Sequence, residues 1–135
     1  METYFSNLKP GRDTLLLRLE EEAEKENIPI VGPVVGELLF ILARATKAKN
    51  ILELGTSIGY STIQLGRACA QIGGRVVTLE NDADMVKRAV KNLGQAKLLQ
   101  TVEIIETDAV KILPELQGPF DFVFIDIEKK AYQEA

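Results

Sequence analysis

The sequence predicts an α/β fold built around a parallel sheet. Short apolar runs alternate with helical stretches of about ten residues, the pattern of strand–helix–strand units. The runs are apolar nearly throughout, as strands are when helices cover both faces of a sheet. The first run also passes into a glycine loop, and four strand ends carry an acid.

The elements follow in chain order. Residues 13–26, DTLLLRLEEEAEKE, read as an amphipathic helix with Asp13 as N-cap and Leu15, Leu16, Leu19 and Ala23 as its apolar stripe. NIPIVGP breaks it with two prolines and a glycine. A second helix starts near Pro33, a favoured first-turn residue. Val35, Leu38, Leu39, Leu42 and Ala45 recur at helical spacing, and the basic RATKAK suits a helix C-terminus. NILEL is a strand, followed by a helix over 61–71. GGRVVTLE is a turn and second strand, followed by a helix over 82–93. TVEIIETD is a third strand, leading into a short helix AVKILPEL that contains Pro114. GPFDFVFIDI is a turn and fourth strand.

Composition narrows the function classes. The chain has 135 residues, 46% hydrophobic and 27% charged, which fits one domain. Sixteen basic and 20 acidic residues give a net charge of −4, so neither nucleic acid nor an anionic membrane is expected as partner. The N-terminus lacks the apolar core of a signal peptide. VVGELLFILA is interrupted by Glu37 and too short to span a bilayer. The single cysteine, Cys69, reads as a core residue and suits a reducing cytoplasm. There is no histidine, which removes Ser-His-Asp and Cys-His hydrolysis in their usual form. A general base must then be a carboxylate, lysine, tyrosine or the cysteine.

In an open parallel sheet the ligand sits beyond the carboxyl ends of the strands. Glu53, Glu80, Asp108 and Asp126 stand at those ends. Acids there favour ribose hydroxyls, exocyclic amines and cationic groups over phosphates. A dinucleotide loop reads G-x-G-x-x-G. Here Gly55-Thr56-Ser57-Ile58-Gly59 has serine where the second glycine belongs, which counts against a pyrophosphate. Each feature has a simpler reading. Gly55 and Gly59 can serve only a tight turn. Glu80 can be a helix N-cap acid, and Asp108 can cap, bind, or do both. Lys129 and Lys130 are surface charges by default. Asp126, directly after Phe122-Val123-Phe124-Ile125, leaves a buried strand and needs a partner.

ILELGTSIGYST, VVTLEND, ETDAVKILPEL and FDFVFIDIEKKAY, in that order, resemble class I S-adenosylmethionine-dependent methyltransferases. Within that class they resemble the catechol and caffeoyl-CoA O-methyltransferases, over residues 28–132. The resemblance implies a metal-assisted methyl transfer to a hydroxyl of a small molecule. It implies that Val31, Glu53 and the loop residues Gly55, Thr56, Ser57, Gly59, Tyr60 and Ser61 hold the methionine part of the cofactor. Glu80 would bind the ribose hydroxyls, with Asn81 beside the adenine, and Asp108 and Ala109 would border that ring. Asp126 would ligate a divalent cation, usually Mg2+, and face the cofactor. Lys129 would be the general base. The pair Ile127-Glu128 departs from the family's usual Ala-Asp.

The resemblance further implies a Rossmann-like sheet of four parallel strands in the order 3-2-1-4, with the right-handed crossovers such units require. It is truncated relative to the seven-stranded methyltransferase fold. The remaining metal ligands, last strands and much of the acceptor pocket would lie in a C-terminal part that these residues lack. Residues 1–30 form an N-terminal helical segment and 31–135 the cofactor-binding core of one domain. The fourth strand is expected to be covered at its edge by a second copy of the chain, in a homodimer, or by the N-terminal helix. Two rival functions remain: a module that binds the cofactor without turnover, and a nicotinamide-dependent oxidoreductase.

Overall fold

The computed structural model describes residues 14–127. Four helices and four strands carry the architecture: α1 (Thr14–Glu26), α2 (Gly32–Ala45), β1 (Asn50–Leu54), α3 (Tyr60–Ala70), β2 (Arg75–Glu80), α4 (Ala83–Gln95), β3 (Val102–Glu106) and β4 (Phe122–Ile125). A single helical turn, α5 (Ala109–Ile112), follows β3 and tightens into a 3-10 turn over Leu113–Glu115, where Pro114 ends the α-helix. The predicted Asp13 cap lies outside the described residues.

All strands are parallel, in the order β3-β2-β1-β4. This is the predicted order. The register pairs Leu52 with both Val77 and Val123, and Leu54 with both Leu79 and Ile125. Because side chains alternate along a strand, the sheet has two distinct faces. Ile51, Val76, Val102, Ile104, Phe122 and Phe124 face one layer, in a cluster that includes Leu16 and Leu19 of α1, Leu39 and Ala43 of α2, Ile63 and Leu65 of α3, and Leu93 of α4. Leu52, Leu54, Val77 and Leu79 face the other, where Ala109, Ile112, Leu113, Leu116, Phe120 and Ile127 cover them.

The second face is thinly covered at its edge. Val123 is 51% exposed and Ile125 46%. The apolar runs predicted strands with both faces covered. That holds for β1 and β2 but not for β4, whose residues alternate between half-buried and exposed. Asp126 is likewise exposed, and its backbone N–H donates to Leu54 O at 2.8 Å.

Helix α2 turns a different face inward from the one its leucines predict. The buried residues are Gly36, Leu39 and Ala43, whereas Val35, Leu38 and Leu42 are exposed. The reason is close approach: a Cβ at Gly36 would lie 3.1 Å from the Tyr60 ring of α3. Small residues let the two helices meet, and the larger side chains are turned outward. Helix α1 buries Leu16, Leu19 and Ala23 as predicted. It lies against α3 and α4, not along the edge of β4: Tyr60 Oη donates to Glu20 Oε2 at 2.6 Å, and Arg88 pairs with Glu26 at 2.8 Å and Glu22 at 3.4 Å. The N-terminal helix is therefore not the cover expected for that edge. Asp121 fixes the start of β4 by accepting the backbone N–H groups of Lys49 (3.0 Å) and Asn50 (2.9 Å), bonds that hold its carboxyl below the usual range. Among the described residues no helix is long and apolar enough to cross a membrane.

Leu19 is fully buried between α1 and the rest of the core. Leu19→Ala is expected to lower unfolding stability by about 2–5 kcal/mol in urea titration; a loss well below that range would mean that α1 is only loosely docked.

Candidate functional site

The loop from β1 to α3 is built from left-handed backbone. Gly55 has φ 101°, Ser57 φ 50° and Gly59 φ 92°. Glycine at 55 is required by crowding as well as by φ, since a Cβ there would lie 2.1 Å from the carbonyl oxygen of Asp126. Ser57 adopts a conformation that residues with a Cβ rarely take. Its N–H donates to Glu80 Oε1 at 2.8 Å, a charge-assisted bond that offsets the strain.

Glu80 is therefore anchored from two sides. Its second oxygen accepts the N–H of Asp82 at 3.0 Å. The carboxylate spans the loops that follow β1 and β2, and its unused lone pairs remain available to a ligand. The cap of α4 is Asp82, which accepts from the N–H groups of Asp84 and Met85, so the reading of Glu80 as the N-cap does not hold. Asp108 fills the capping role left open for it. It caps α5 through Val110 N–H at 3.0 Å, and it lines the same cavity as Glu80.

That cavity, of about 560 Å³, opens at the carboxyl ends of the strands. Of the residues singled out from sequence, Gly55, Ser57, Glu80, Asn81, Asp108, Ala109 and Asp126 line it. Val31, Glu53, Thr56, Gly59, Tyr60 and Ser61 are not among its lining residues. Lys129 lies outside the described residues. The walls carry the carboxylates of Glu80, Asp82, Asp108 and Asp126, and no lysine or arginine among the described residues.

Sequence reasoning missed part of the wall. Leu79, Thr107 and Ile127 adjoin strand-end residues already chosen, so strand-end position alone was signal enough for them. Asp82 and Met85 belong to the first turn of α4. Asn27, Ile28 and Pro29 form a wall only because the α1–α2 connection folds back over the cavity, and nothing local in NIPIVGP marks that.

Glu53 takes a place of its own. It shares the sheet face of Ile51, is fully buried, and points beneath the loop. Three hydroxyls donate to it: Ser61, Thr62 (2.5 Å) and Thr78 (2.8 Å). Thr78 also shares a 2.6 Å hydrogen bond with Thr56. One carboxyl group thus joins β1, β2, the loop and the first turn of α3, whose N-cap Gly59 has no side chain to cap with. Burial pushes its pKa up to about 7; the hydroxyls oppose that rise and the charge of Asp126 adds to it.

A raised acid binds its proton more tightly when folded. The stability this contributes is complete below the unfolded value of 4.5 and is lost as pH rises through about 7. Glu53→Gln, which cannot ionise, is expected to remove about 2–3 kcal/mol of the stability lost between pH 5 and pH 8. Urea titrations of both proteins at the two pH values check this, and parallel pH dependence would exclude a titrating Glu53.

Comparison with known proteins agrees with this geometry. A family model described as O-methyltransferase matches residues 10–135. A catechol O-methyltransferase from Niastella koreensis is 41% identical over 99% of this chain and 63% of its own length. A crystal structure of an O-methyltransferase from Streptomyces achromogenes, involved in tomaymycin synthesis and in complex with SAM, superposes with a TM-score of 0.84. It is 34% identical, over 98% of this chain and 63% of that one. An O-methyltransferase from Bacillus cereus in complex with SAH gives 0.82 at 38% identity, over 98% and 64%. The chain thus spans a little under two thirds of the length of these relatives. With its strand order, its glycine loop and this match over nearly all its residues, the chain belongs to the O-methyltransferase family.

Proposed function

We propose that the cavity binds S-adenosylmethionine and that the chain serves methyl transfer to a hydroxyl of a small molecule. The observation that carries this is a wall with four carboxylates and no basic residue among the described residues. Such a wall suits a cationic sulfonium and ribose hydroxyls, and it offers a pyrophosphate no counter-charge. Glu80, held by two backbone N–H groups, is oriented to accept the ribose hydroxyls. Asn81, Asp108 and Ala109 border the adenine in this reading. The SAM and SAH complexes of the structural relatives support the same cofactor. A nicotinamide enzyme is disfavoured by the anionic wall and by Ser57 at the position of the second glycine.

Methyl transfer requires an acceptor oxygen in line with the sulfonium methyl and a group to take its proton. Lys129, outside the described residues, is the base in this proposal. Asp126 is the one residue proposed to ligate a divalent cation. Among the described residues no group of three acidic, histidine or cysteine side chains gathers to hold a metal, so the donor set there is incomplete and no step is routed through one. Binding of the cofactor without turnover is the second reading. A cytoplasmic location belongs to the proposal, supported by a single, buried cysteine.

Calorimetry tests the cofactor. S-adenosylhomocysteine is expected to bind, and Glu80→Ala to weaken it by about tenfold or more. Tight binding of NAD in its place would reject the proposal. Repeating the titration with Mg2+, on the parent chain and on Asp126→Asn, tests the cation: a Mg2+ effect that the variant loses supports Asp126 as its ligand.

The homodimer remains part of the proposal, with the edge of β4 as its surface, where Val123 is 51% and Ile125 46% exposed. Sedimentation is expected to give twice the 14.9 kDa chain mass; a monomer would reject the dimer and leave the cofactor reading intact.

A further inference from the structure

We propose that Asn92 is a positioning residue for the cofactor loop, and that α1 acts on the loop through it. The inference rests on the reading that the Gly55–Gly59 loop holds S-adenosylmethionine. Asn92 lies on α4 and is 4% exposed. Its Nδ2 donates to the carbonyl of Ile58 at 2.8 Å, and its Oδ1 accepts from Arg18 Nη2 of α1 at 3.1 Å. The same Arg18 nitrogen donates to Gln95 Oε1 at 2.6 Å.

The geometry makes Ile58 a sensitive point. Its carbonyl stands between the left-handed residues Ser57 and Gly59. Two nearby carbonyls have backbone partners: Thr56 O accepts from Gly59 N–H and Gly59 O from Ile63 N–H, both at 2.9 Å. Ile58 is fully buried, so without Asn92 its carbonyl has no water to turn to. An amide can face two ways, and the guanidinium of Arg18 selects the one that aims Nδ2 at the loop. On the other side of Gly59, Tyr60 Oη donates to Glu20 of α1 at 2.6 Å. Helix α1 therefore holds the loop at two points flanking the glycine that begins α3. The residues that follow α1, Asn27, Ile28 and Pro29, form a wall of the cavity. By linkage, docking of α1 and binding of the cofactor favour one another.

Two variants separate positioning from packing. Asn92→Asp keeps the shape and the attraction to Arg18 but sets an oxygen against the Ile58 carbonyl. Arg18→Ala, at a partly exposed site, keeps the donor and releases the amide to turn. The measurements are the Kd for S-adenosylhomocysteine by calorimetry and the hydrogen exchange of the Ile58–Tyr60 amides without ligand. Asn92→Asp is expected to weaken binding about tenfold or more, and Arg18→Ala about threefold, with faster loop exchange in both. Binding within about twofold of the parent and unchanged loop exchange in both would overturn the proposal, even with a lowered Tm. If Asn92→Asp does not fold, Arg18→Ala decides alone by the exchange of Ile58–Tyr60. If the parent chain fails to bind S-adenosylhomocysteine, the proposed cofactor falls, while loop exchange still decides whether Asn92 and Arg18 hold the loop.

Discussion

The carboxyl group of Glu53, buried beneath the loop with three hydroxyls donating to it, is the interaction on which the site depends. Desolvating a carboxyl is expensive, and here the cost is offset only if Ser61, Thr62 and Thr78 all stay in place. Those three residues belong to α3 and β2. Their alignment therefore requires that β1 pair with β2 in the observed register and that α3 begin where it does. Thr78 in turn holds Thr56 in the loop itself. The loop is shaped from below by this network and from the side by Asn92, so its form is set by the fold before any ligand arrives.

On this base the charge of the cavity follows from topology. Parallel strands all end on one side, and the turns after them gather there. Glu80, Asp108 and Asp126 come together from three different strand ends although they lie far apart in sequence. Their mutual repulsion is relieved in part by backbone N–H groups: two on Glu80 and one on Asp108. What remains is a polar, negatively charged recess walled on one side by the apolar Ile28 and Pro29. The proposed ligand, an adenosyl group with a cationic sulfur, would suit both halves of it.

Much of this was legible in the sequence because it is local or periodic. Strand runs, the glycine loop and the strand-end acids need only periodicity and spacing, whereas the strand order is what the family resemblance implies. The inward face of α2 was misread because leucine density marks a core only where helices pack at ordinary distance. Here Gly36 allows Tyr60 so close that Gly36, Leu39 and Ala43 become the contact. Glu53 was legible as a strand-end acid, but not as a brace. That it faces the helical layer instead of the cavity depends on side-chain alternation, and its three partners come from two other elements. Asn92 carried no signal at all, since a polar residue in an amphipathic helix usually points to water.

The contact between Gly55 and Asp126 has a consequence for how tolerance to substitution should be interpreted. A scan of all substitutions across the loop would find Gly55 intolerant of every side chain. That intolerance would arise in a chain with no cofactor at all, because the carbonyl of Asp126 occupies the space of any side chain. Ser57, three residues after Leu54 in the same loop, lines the cavity and carries a Cβ already. Selection at position 55 reports on how β4 seats against β1, whereas selection at 57 reports on what the loop must hold.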